Sequence, residues 1–571
     1  MILQALNSYY QRKMADPDPR GRLPAFGLED KEVPFIIELS RNGELLSIKD
    51  TRRIEGKRKL AERFLVPKGV KKTSGVAANL LWDTAEYVLG IDTKGRPERV
   101  LQQSQAFRAR IAALPESAQR DVGIKAVLAF LDARPVAGVA SSDCWKEIEE
   151  TNPVLSFRLA EDADLVCQRD AVVKALAGAG GSDGAGNSER VCLIAGEAAV
   201  PERLHAAIKG VWGAQSSGAN IVSFNLDAFS SFGKEQGDNA PVSPAAAFAY
   251  TTALNHLLRK GSRQRLQVGD ASTVFWAQEP DGIEDTFASI FGGSDDPDHT
   301  EALRALLESV HAGKFDGARG DKRFFVLGLA PNAARISVRF WQAEPLREIA
   351  HRIRDWFDDI QIARAPHDPE YPSLFKLLTA CAVQGKAENV PPNLGGDIMR
   401  AILAGSAFPV GWLNAAIQRS RAERQITYLR AAAIKACLNR TGHHLPDQRE
   451  FKPMLDLANM NAAYRLGRLF AALEKVQEEA SPEINATIRD RYYGAASSTP
   501  IAVFTTLLRL KAHHAAKLAQ KNKGRVINFE KLFGEIMDGI KEFPAHLSLP
   551  DQGRFALGYY HQRQAFFAKS E

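Results

Sequence analysis

The chain has 571 residues, of which 45% are hydrophobic and 25% are charged, with five cysteines and a formal net charge of +6. This length exceeds what one hydrophobic core supports, so we expect about two to four domains of ordinary globular composition. The sequence has no run of roughly 18 apolar residues and no apolar N-terminal core, which argues against a transmembrane helix and a signal peptide, so we expect a cytoplasmic protein.

Charge is distributed unevenly along the chain. Residues 375–571 hold 27 Lys and Arg against 17 Asp and Glu, or +10, which leaves 6 − 10 = −4 for the preceding part. Within that part, residues 41–72 hold 11 basic and 4 acidic residues. Two basic regions indicate a polyanionic partner, and solvated surface charge is the alternative explanation. The cysteines lie far apart without a C-x-x-C pair, which argues against a disulfide framework and a structural zinc site. We expect no other metal and no cofactor.

The first half of the chain mixes helical and strand patterns. Residues 1–20 predict a helix, and VPFIIELS and ELLSIKDTR predict a β-hairpin about Arg41-Asn42-Gly43. Residues 97–135 predict helices. Their expected buried positions are Leu101, Phe107, Ile111, Val127, Leu128 and Leu131. Further on, residues 178–188 predict a surface loop and residues 191–198 a buried strand.

A helix is predicted from Pro244 to Leu258, with Ser243 as its cap. Residues 272–278 and 324–342 predict three apolar strands, and the acidic insert 279–299 between them is expected to be an exposed loop without an assigned role. From about residue 371 the strand patterns vanish. Ser481-Pro482 and Thr499-Pro500 predict helix starts, and one helix is expected to be apolar on one side. Its apolar positions are Leu466, Leu469, Phe470, Leu473 and Val476.

These patterns predict an α+β fold. Residues 1–370 form a mixed α/β region with antiparallel sheet elements, and residues 371–571 form an all-α helical bundle.

Catalytic motifs are missing from the sequence. It has no H-E-x-x-H, no G-x-S-x-G and no Walker A motif. GAQSSGAN at 213–220 resembles a phosphate loop, but Ala219 and Asn220 stand where that loop needs its lysine and hydroxyl. We therefore expect no catalytic residues.

Polar, basic and glycine-rich segments are the candidate nucleic-acid contacts. The first segment is basic, and its small residues allow close approach to a duplex; its candidates are Lys68, Lys71, Lys72, Thr73, Ser74 and Asn79. Asn79 either contacts a base edge or caps its own turn. The second lies within residues 213–243, and its candidates are Gln215, Ser216, Asn225, Lys234, Gln236 and Asn239. For a strand-binding face in the bundle, the candidates are Arg419, Arg421, Arg424, Arg489, Arg491, Lys511 and Lys517.

The wording of several segments, in this order, closely resembles one family. These segments are TSGVAANLLWDTAEYVLGID, GAQSSGANIVSFNLDAFSSFGKEQGDNAPVSPAAAFAYTTALNHLL, GDASTVFWA, FFVLGLAPNAARISVRFW and INATIRDRYYGAAS. MILQALNSYY, RAILAGSAFP, YLRAAAIKACLNR and YRLGRLFAALEKVQ also match, so the resemblance spans essentially the whole chain. The family is the large subunit of the type I-C CRISPR surveillance complex, Cascade.

This resemblance implies a non-catalytic subunit in a crRNA-guided complex. Its partners would be the crRNA, the subunit at the crRNA 5′ handle, the backbone subunits and a helicase–nuclease. It would read the protospacer-adjacent motif (PAM) in duplex DNA, help to open the duplex, and guide the displaced single strand. The family match locates the two reading segments, and their DNA contacts are our hypothesis. A metal-dependent DNA nuclease and a general single-strand-binding protein are the alternatives.

The resemblance also implies a separately translated small subunit. Met454 is the preferred internal start, because it follows a breaker-rich segment and leaves 571 − 454 + 1 = 118 residues, 454–571. Met460 is expected to lie inside a helix and is the second choice.

Overall fold

The computed structural model describes the chain except for residues 19–20, 56–57, 71–74, 134–138, 140, 182–189, 269, 292–296, 314–319, 442–448 and 568–571. The strands are β1 (Leu28–Glu32), β2 (Phe35–Leu39), β3 (Leu45–Asp50), β4 (Arg53–Glu55), β5 (Arg58–Leu60), β6 (Arg63–Pro67), β7 (Trp82–Thr84), β8 (Val154–Leu159), β9 (Arg265–Val268), β10 (Ala271–Ala277), β11 (Arg323–Asn332) and β12 (Arg335–Pro345).

The helices are α1 (Ile2–Met14), α2 (Ala85–Val88), α3 (Pro97–Ala112), α4 (Glu116–Gln119), α5 (Val122–Ala133), α6 (Trp145–Thr151), α7 (Asp170–Gly181), α8 (Pro244–Leu258), α9 (Ile283–Phe291), α10 (Pro297–His311), α11 (Leu346–Ile360), α12 (Leu374–Ala380), α13 (Leu394–Ala404), α14 (Val410–Glu423), α15 (Tyr428–Arg440), α16 (Ala462–Ala480), α17 (Ile488–Ala496), α18 (Phe504–Lys521), α19 (Lys523–Met537) and α20 (Leu549–Phe567). The mixed N-terminal sheets and the helical C-terminal region confirm the α+β prediction. None of these helices is both long enough and apolar enough to cross a membrane.

The chain divides into two compact units, each with its own core. The first comprises Met1–Ala207 with Val222–His256, and the second comprises Ile208–Ile221 with Leu257–Glu571. The predicted boundary at residue 370 and the separate segment 454–571 stay predictions.

The first unit contains a four-stranded sheet in the order β3-β2-β8-β7. Strands β2 and β8 are parallel and the other pairs are antiparallel, with Gly43 at a φ of +86° in the predicted hairpin turn between β2 and β3. Helices α3 and α5 belong to the same core. The ring of Phe157 on β8 lies 6.3 Å from that of Phe107 and 5.9 Å from that of Phe130. A two-stranded sheet β1-β6 and a two-stranded ribbon β4-β5 complete its described strands.

The second unit contains the antiparallel sheet β12-β11-β10-β9 and the C-terminal helices. Its larger core runs from the sheet through α11 to α15, where the rings of Trp356 and Trp412 stack at 6.0 Å. A second cluster of buried residues surrounds α16. Helices α16 and α20 make the most extensive helix–helix contact, because Gly467 and Gly558 let the two backbones touch.

Several predictions about local structure are wrong. Residues 191–198 form a tight turn bridged from Val191 to Ala198 rather than a buried strand, and both Val191 and Leu193 are exposed. The insert 279–299 is not an exposed loop, since it contains α9, whose Ile283 and Phe287 are buried. Leu101 is exposed, whereas Phe107 and Ile111 are buried as predicted.

The helical region also differs in detail from the predictions. No helix starts at Ser481-Pro482; the helix after α16 is α17, which Thr487 caps. A short 3₁₀ turn begins at Pro500, as the Thr499-Pro500 pattern predicts. Helix α16 is buried on nearly all sides rather than on one, because other helices pack around it. Met460 lies in the loop before α16, not inside a helix. The predicted loop 178–188 is wrong for residues 178–181, which end helix α7, and its remaining residues lie outside the described part of the chain.

A buried histidine in the second unit makes stability depend on pH. Burial, and secondarily the charge of Lys435, lowers the pKa of His561 from 6.5 to about 4. Its Nδ1 lies 3.0 Å from the hydroxyl of Tyr464. Between pH 6.5 and 4 the unfolded chain binds a proton that the folded chain does not, so the free energy of unfolding falls as the pH is lowered through this window.

We predict that His561→Asn reduces this acid sensitivity, since asparagine keeps a polar partner for Tyr464 without a titrating group. The wild-type cost approaches about 3 kcal/mol at pH 4. Thermal unfolding of the full chain at pH 7 and pH 4.5 measures the difference. Equal falls in the melting temperature of the two proteins would contradict the role of His561.

Candidate nucleic-acid interface

The first predicted reading segment begins where β6 ends. Lys68 is exposed. The N–H of Val70 donates to Oδ1 of Asn79 at 3.0 Å, and the N–H of Asn79 donates to Asp83 at 2.8 Å. Asn79 is buried, so its side chain joins the two ends of the segment, and its predicted contact with a base edge stays a prediction. The remaining candidates lie outside the described residues: Lys71, Lys72, Thr73 and Ser74.

The second predicted segment is divided between the two units. Gln215 and Ser216 belong to the second unit and are exposed. The remaining candidates belong to the first unit: Asn225, Lys234, Gln236 and Asn239. Their joint contact with one DNA site therefore stays a prediction.

In the first unit, Asn239 fastens a loop of residues 231–239. Its Nδ2 donates to the carbonyl oxygens of Lys234 and Gln236, at 3.1 Å each, and its Oδ1 accepts from the N–H of Ser231 at 3.0 Å. The side chain of Gln236 accepts a hydrogen bond from Arg203 at 2.5 Å. These two amides are therefore used within the protein, and we call residues 231–239 the braced loop.

The braced loop presents an aromatic ring that the sequence analysis missed. Phe232 is 96% exposed, and its φ of +54° lies in the left-handed region, which costs a residue with a Cβ about 1–2 kcal/mol. Lys234, two residues later, is also exposed. A strained and fully exposed phenylalanine in a hydrogen-bonded loop indicates a binding residue, because neither burial nor local backbone preference favours that placement.

The second unit has a comparable aromatic residue beside Gln215 and Ser216. The side chain of Trp212 is 61% exposed, and its backbone N–H donates to Oγ of Ser272 at 2.9 Å. An antiparallel bridge between Ile208 and Ala219 closes the loop that contains it. Both exposed rings precede a glycine in a polar segment, as Trp212-Gly213 and Phe232-Gly233. That aromatic–glycine pattern is the signal from which the sequence could have predicted them.

The predicted cations of the bundle fall into two groups. Arg419, Arg489 and Lys511 lie beside carboxylates of Glu423, Glu474 and Glu530, at 3.1, 3.8 and 2.8 Å. Arg421 donates to Gln552 at 3.3 Å. The exposed candidates are Arg424, Arg491 and Lys517, and Nζ of Lys517 also donates to Oγ of Ser481 at 2.8 Å. Paired cations are less available to a phosphate than exposed ones, so the second group is better suited to bind a strand.

Helix α18 presents a basic row that the sequence analysis identified only in part. Arg509, His513, Lys517 and Lys521 follow one another at a spacing of four residues, and all four are exposed. Residues at this spacing lie on one face of a helix, and the row is about 18 Å long. Burial, followed by the charges of His513 and Lys517, lowers the pKa of the neighbouring His514. We call these four residues the α18 row.

The family model for the CRISPR-associated protein Cas_Csd1 matches residues 6–567, nearly the whole chain. No curated protein matches the sequence.

Proposed function

The chain belongs to the Cas_Csd1 family, the large subunits of the CRISPR type I-C Cascade, and from this membership we propose that it is the non-catalytic subunit that recognises the PAM in duplex DNA. In this proposal the chain helps to open the duplex, guides the displaced strand and recruits a helicase–nuclease. The observation that carries the proposal is the family match across residues 6–567. Base pairing with crRNA reads the target in such complexes, so protein contacts need to recognise only a short motif and the DNA backbone.

Motif reading is assigned to the segment after β6. Lys68, Lys71 and Lys72 would contact phosphates, and Thr73 and Ser74 would approach the groove. Asn79 would act as a positioning residue, because its buried side chain holds Val70. Gln215, Ser216 and Asn225 are further candidate contacts, and all three are exposed.

Duplex opening is assigned to the braced loop. Phe232 would stack on a base exposed at the first opened pair, and Lys234 would contact the adjacent phosphate. Gln236 and Asn239 would hold the loop in shape rather than contact DNA, since their side chains bind Arg203, Ser231 and the loop carbonyls.

Guidance of the displaced strand is assigned to exposed cations of the bundle, namely the α18 row with Arg424 and Arg491. A row of cations along a helix can follow a phosphate backbone without regard to sequence. We also propose that translation from Met454 supplies a small subunit, because Met454 lies in the irregular segment before α16 and leaves the helices from α16 to α20 intact.

The first experiment tests motif recognition by the assembled complex. We expect binding to duplexes with a randomised trinucleotide beside the target to select one motif. Lys71→Ala/Lys72→Ala should lower the affinity for all duplexes about 10- to 30-fold near 0.15 M salt, because two phosphate contacts are lost. Arg99→Ala/Arg110→Ala, which removes two exposed arginines of α3, is the charge-matched control.

Three outcomes would contradict the proposal. Binding without any motif preference would favour a general single-strand-binding protein. Cleavage of DNA by the purified chain with Mg²⁺ or Mn²⁺ would favour a nuclease. Loss of complex assembly in the Lys71→Ala/Lys72→Ala variant would make that segment structural.

The second experiment tests Phe232. Since stacking on a base contributes about 1–3 kcal/mol, Phe232→Ala should slow opening of the first target base pair at least 5-fold, while motif binding stays unchanged. Fluorescence of 2-aminopurine at that pair measures opening. Phe232→Tyr keeps a ring and should restore the rate, and Leu226→Ala, which removes another exposed apolar side chain, is the control. Equal rates for Phe232→Ala and wild type would contradict the stacking role.

The third experiment tests the α18 row. Arg509→Ala/Lys517→Ala should increase digestion of the displaced strand by a single-strand nuclease several-fold, since two phosphate contacts are lost. The control Lys511→Ala/Arg525→Ala removes two cations that already bind Glu530 and Glu479, and it should have less effect. If both variants expose the strand equally, the row has no special role.

A further inference from the structure

The β4–β5 ribbon lies within the basic region 41–72 but has no place in the functions assigned above. Its strands pair Arg53 with Leu60 and Ile54 with Lys59, and no other described strand joins it. Ile54 is 78% exposed and Leu60 is 45% exposed. Both faces of the ribbon are therefore open to solvent. An isolated two-stranded ribbon with exposed apolar side chains is marginally stable by itself, which indicates that a partner covers it.

The base of the ribbon is held firmly by the rest of the first unit. The guanidinium of Arg52 donates to Asp50 at 2.7 Å and to Glu147 at 2.9 Å, and it lies 4.5 Å from the ring centre of Phe35. The hydroxyl of Thr51 donates to the carbonyl of Val33 at 2.7 Å and accepts from the N–H of Glu62 at 3.3 Å. The residues on either side of the ribbon are therefore held in place by hydrogen bonds, and we call this end of the ribbon its root.

Charge favours a polyanion as the partner. Residues 52–60 contain five Lys and Arg against one Glu. Arg52 is engaged at the root, but Arg53 is exposed and forms no ion pair with any residue that the structure describes. Lys59 lies 3.4 Å from Glu147, and both side chains of this pair are substantially exposed, so it is weak.

We infer that the β4–β5 ribbon is an arm that binds the major groove of the duplex beside the motif. Ile54 and its cross-strand partner Lys59 share one face of the ribbon and would contact base edges and a phosphate, while Arg53 on the opposite face would reach a phosphate at the edge of the groove. The B-form major groove is about 12 Å wide and admits a two-stranded ribbon. The major groove of an RNA duplex is too narrow to admit side chains, so DNA is the better partner. This inference rests on the proposed function, because it requires that the complex binds duplex DNA.

The chain path sets where the arm contacts the duplex. Strand β6, with five residues, separates the root at Glu62 from Lys68, and it spans about 17 Å. Since base pairs are spaced about 3.4 Å apart, this length corresponds to roughly 5 base pairs of duplex, so we expect the arm to need several base pairs beyond the motif. A duplex that ends at the motif would offer nothing for the arm to bind.

The test compares flank lengths with the assembled complex. Target duplexes carry 2, 6, 10 or 16 base pairs beyond the motif. With the longest flank, Arg53→Ala/Lys59→Ala should weaken binding roughly 10- to 30-fold near 0.15 M salt and reduce the slope of log K against log salt by about 1.8. With the shortest flank, the variant and the wild type should bind equally, and both should select the same motif.

Two control variants accompany it. Arg53→Lys/Lys59→Arg keeps both charges and should retain most of the long-flank affinity. Arg99→Ala/Arg110→Ala has the same net charge as the test variant but should bind like wild type at every flank length.

The outcomes distinguish a failure of the inference about the ribbon from a failure of the proposed function. If the Arg53→Ala/Lys59→Ala variant has the same affinity and salt slope as the wild type with a flank of 16 base pairs, the ribbon does not bind the duplex. Motif selection by the wild type would still support the proposed function. A wild type that selects no motif overturns both. A variant complex that retains less crRNA, measured as the ratio of absorbance at 260 nm to that at 280 nm after purification, overturns the assignment to DNA and points to RNA.

Discussion

The irregular segments of this protein depend on side-chain hydrogen bonds to backbone groups. A buried N–H or C=O that lacks a partner is costly, and segments outside helices and sheets lack regular partners. Asn79 supplies an acceptor to Val70, and Asn239 satisfies three backbone groups of the braced loop. The amides of Asn79 and Asn239 therefore hold the chain in place. The exposed groups are the amides of Gln215 and Asn225, several cations and two aromatic rings.

The second unit depends on close packing around α16. A Cβ at Gly467 would overlap the carbonyl oxygen of Phe555, and one at Gly558 would overlap that of Tyr464. This proximity buries the carboxylate of Glu474, which accepts hydrogen bonds from Thr487 at 2.7 Å and from Tyr559 at 2.5 Å. Helix α18 packs against α16 through Phe504, Leu507 and Leu518, and its basic row lies on the opposite, exposed face.

The sequence was sufficient to predict elements that begin or end at turn and cap residues. Its predictions were wrong where tertiary packing determines which residues are buried. The hairpin about Gly43 and the helix from Pro244 were predictable from turn and cap residues, because such signals are local. Residues 191–198 look like a buried strand by composition, but Gly196, with a φ of +76°, helps them turn back on themselves. The insert 279–299 is acidic overall, yet Ile283 and Phe287 lie on one face of α9 and enter the core.

The candidate site was predictable only as a set of segments. Charge and glycine content located them, but which side chains point outward depends on hydrogen bonds that composition does not encode. Lys511 and Lys517 lie on one helix, and only the structure distinguishes the lysine bound to Glu530 from the exposed one. Phe232 was overlooked because an aromatic residue in a mixed segment is normally assigned to a core.

The exposed groups suit a division of labour between protein and RNA. Cations and aromatic rings bind phosphates and base faces, which every sequence offers, whereas amides on base edges discriminate between sequences. A protein that had to recognise a long site would need many such amides on its surface. Here the side chains of Asn79 and Asn239 bind backbone groups, while Phe232 and Lys234 are exposed in the loop that Asn239 braces. Preordering lowers the entropic cost of binding, so in the proposed function these two residues would supply sequence-independent contacts, while crRNA pairing reads the target and the segment after β6 reads the short motif.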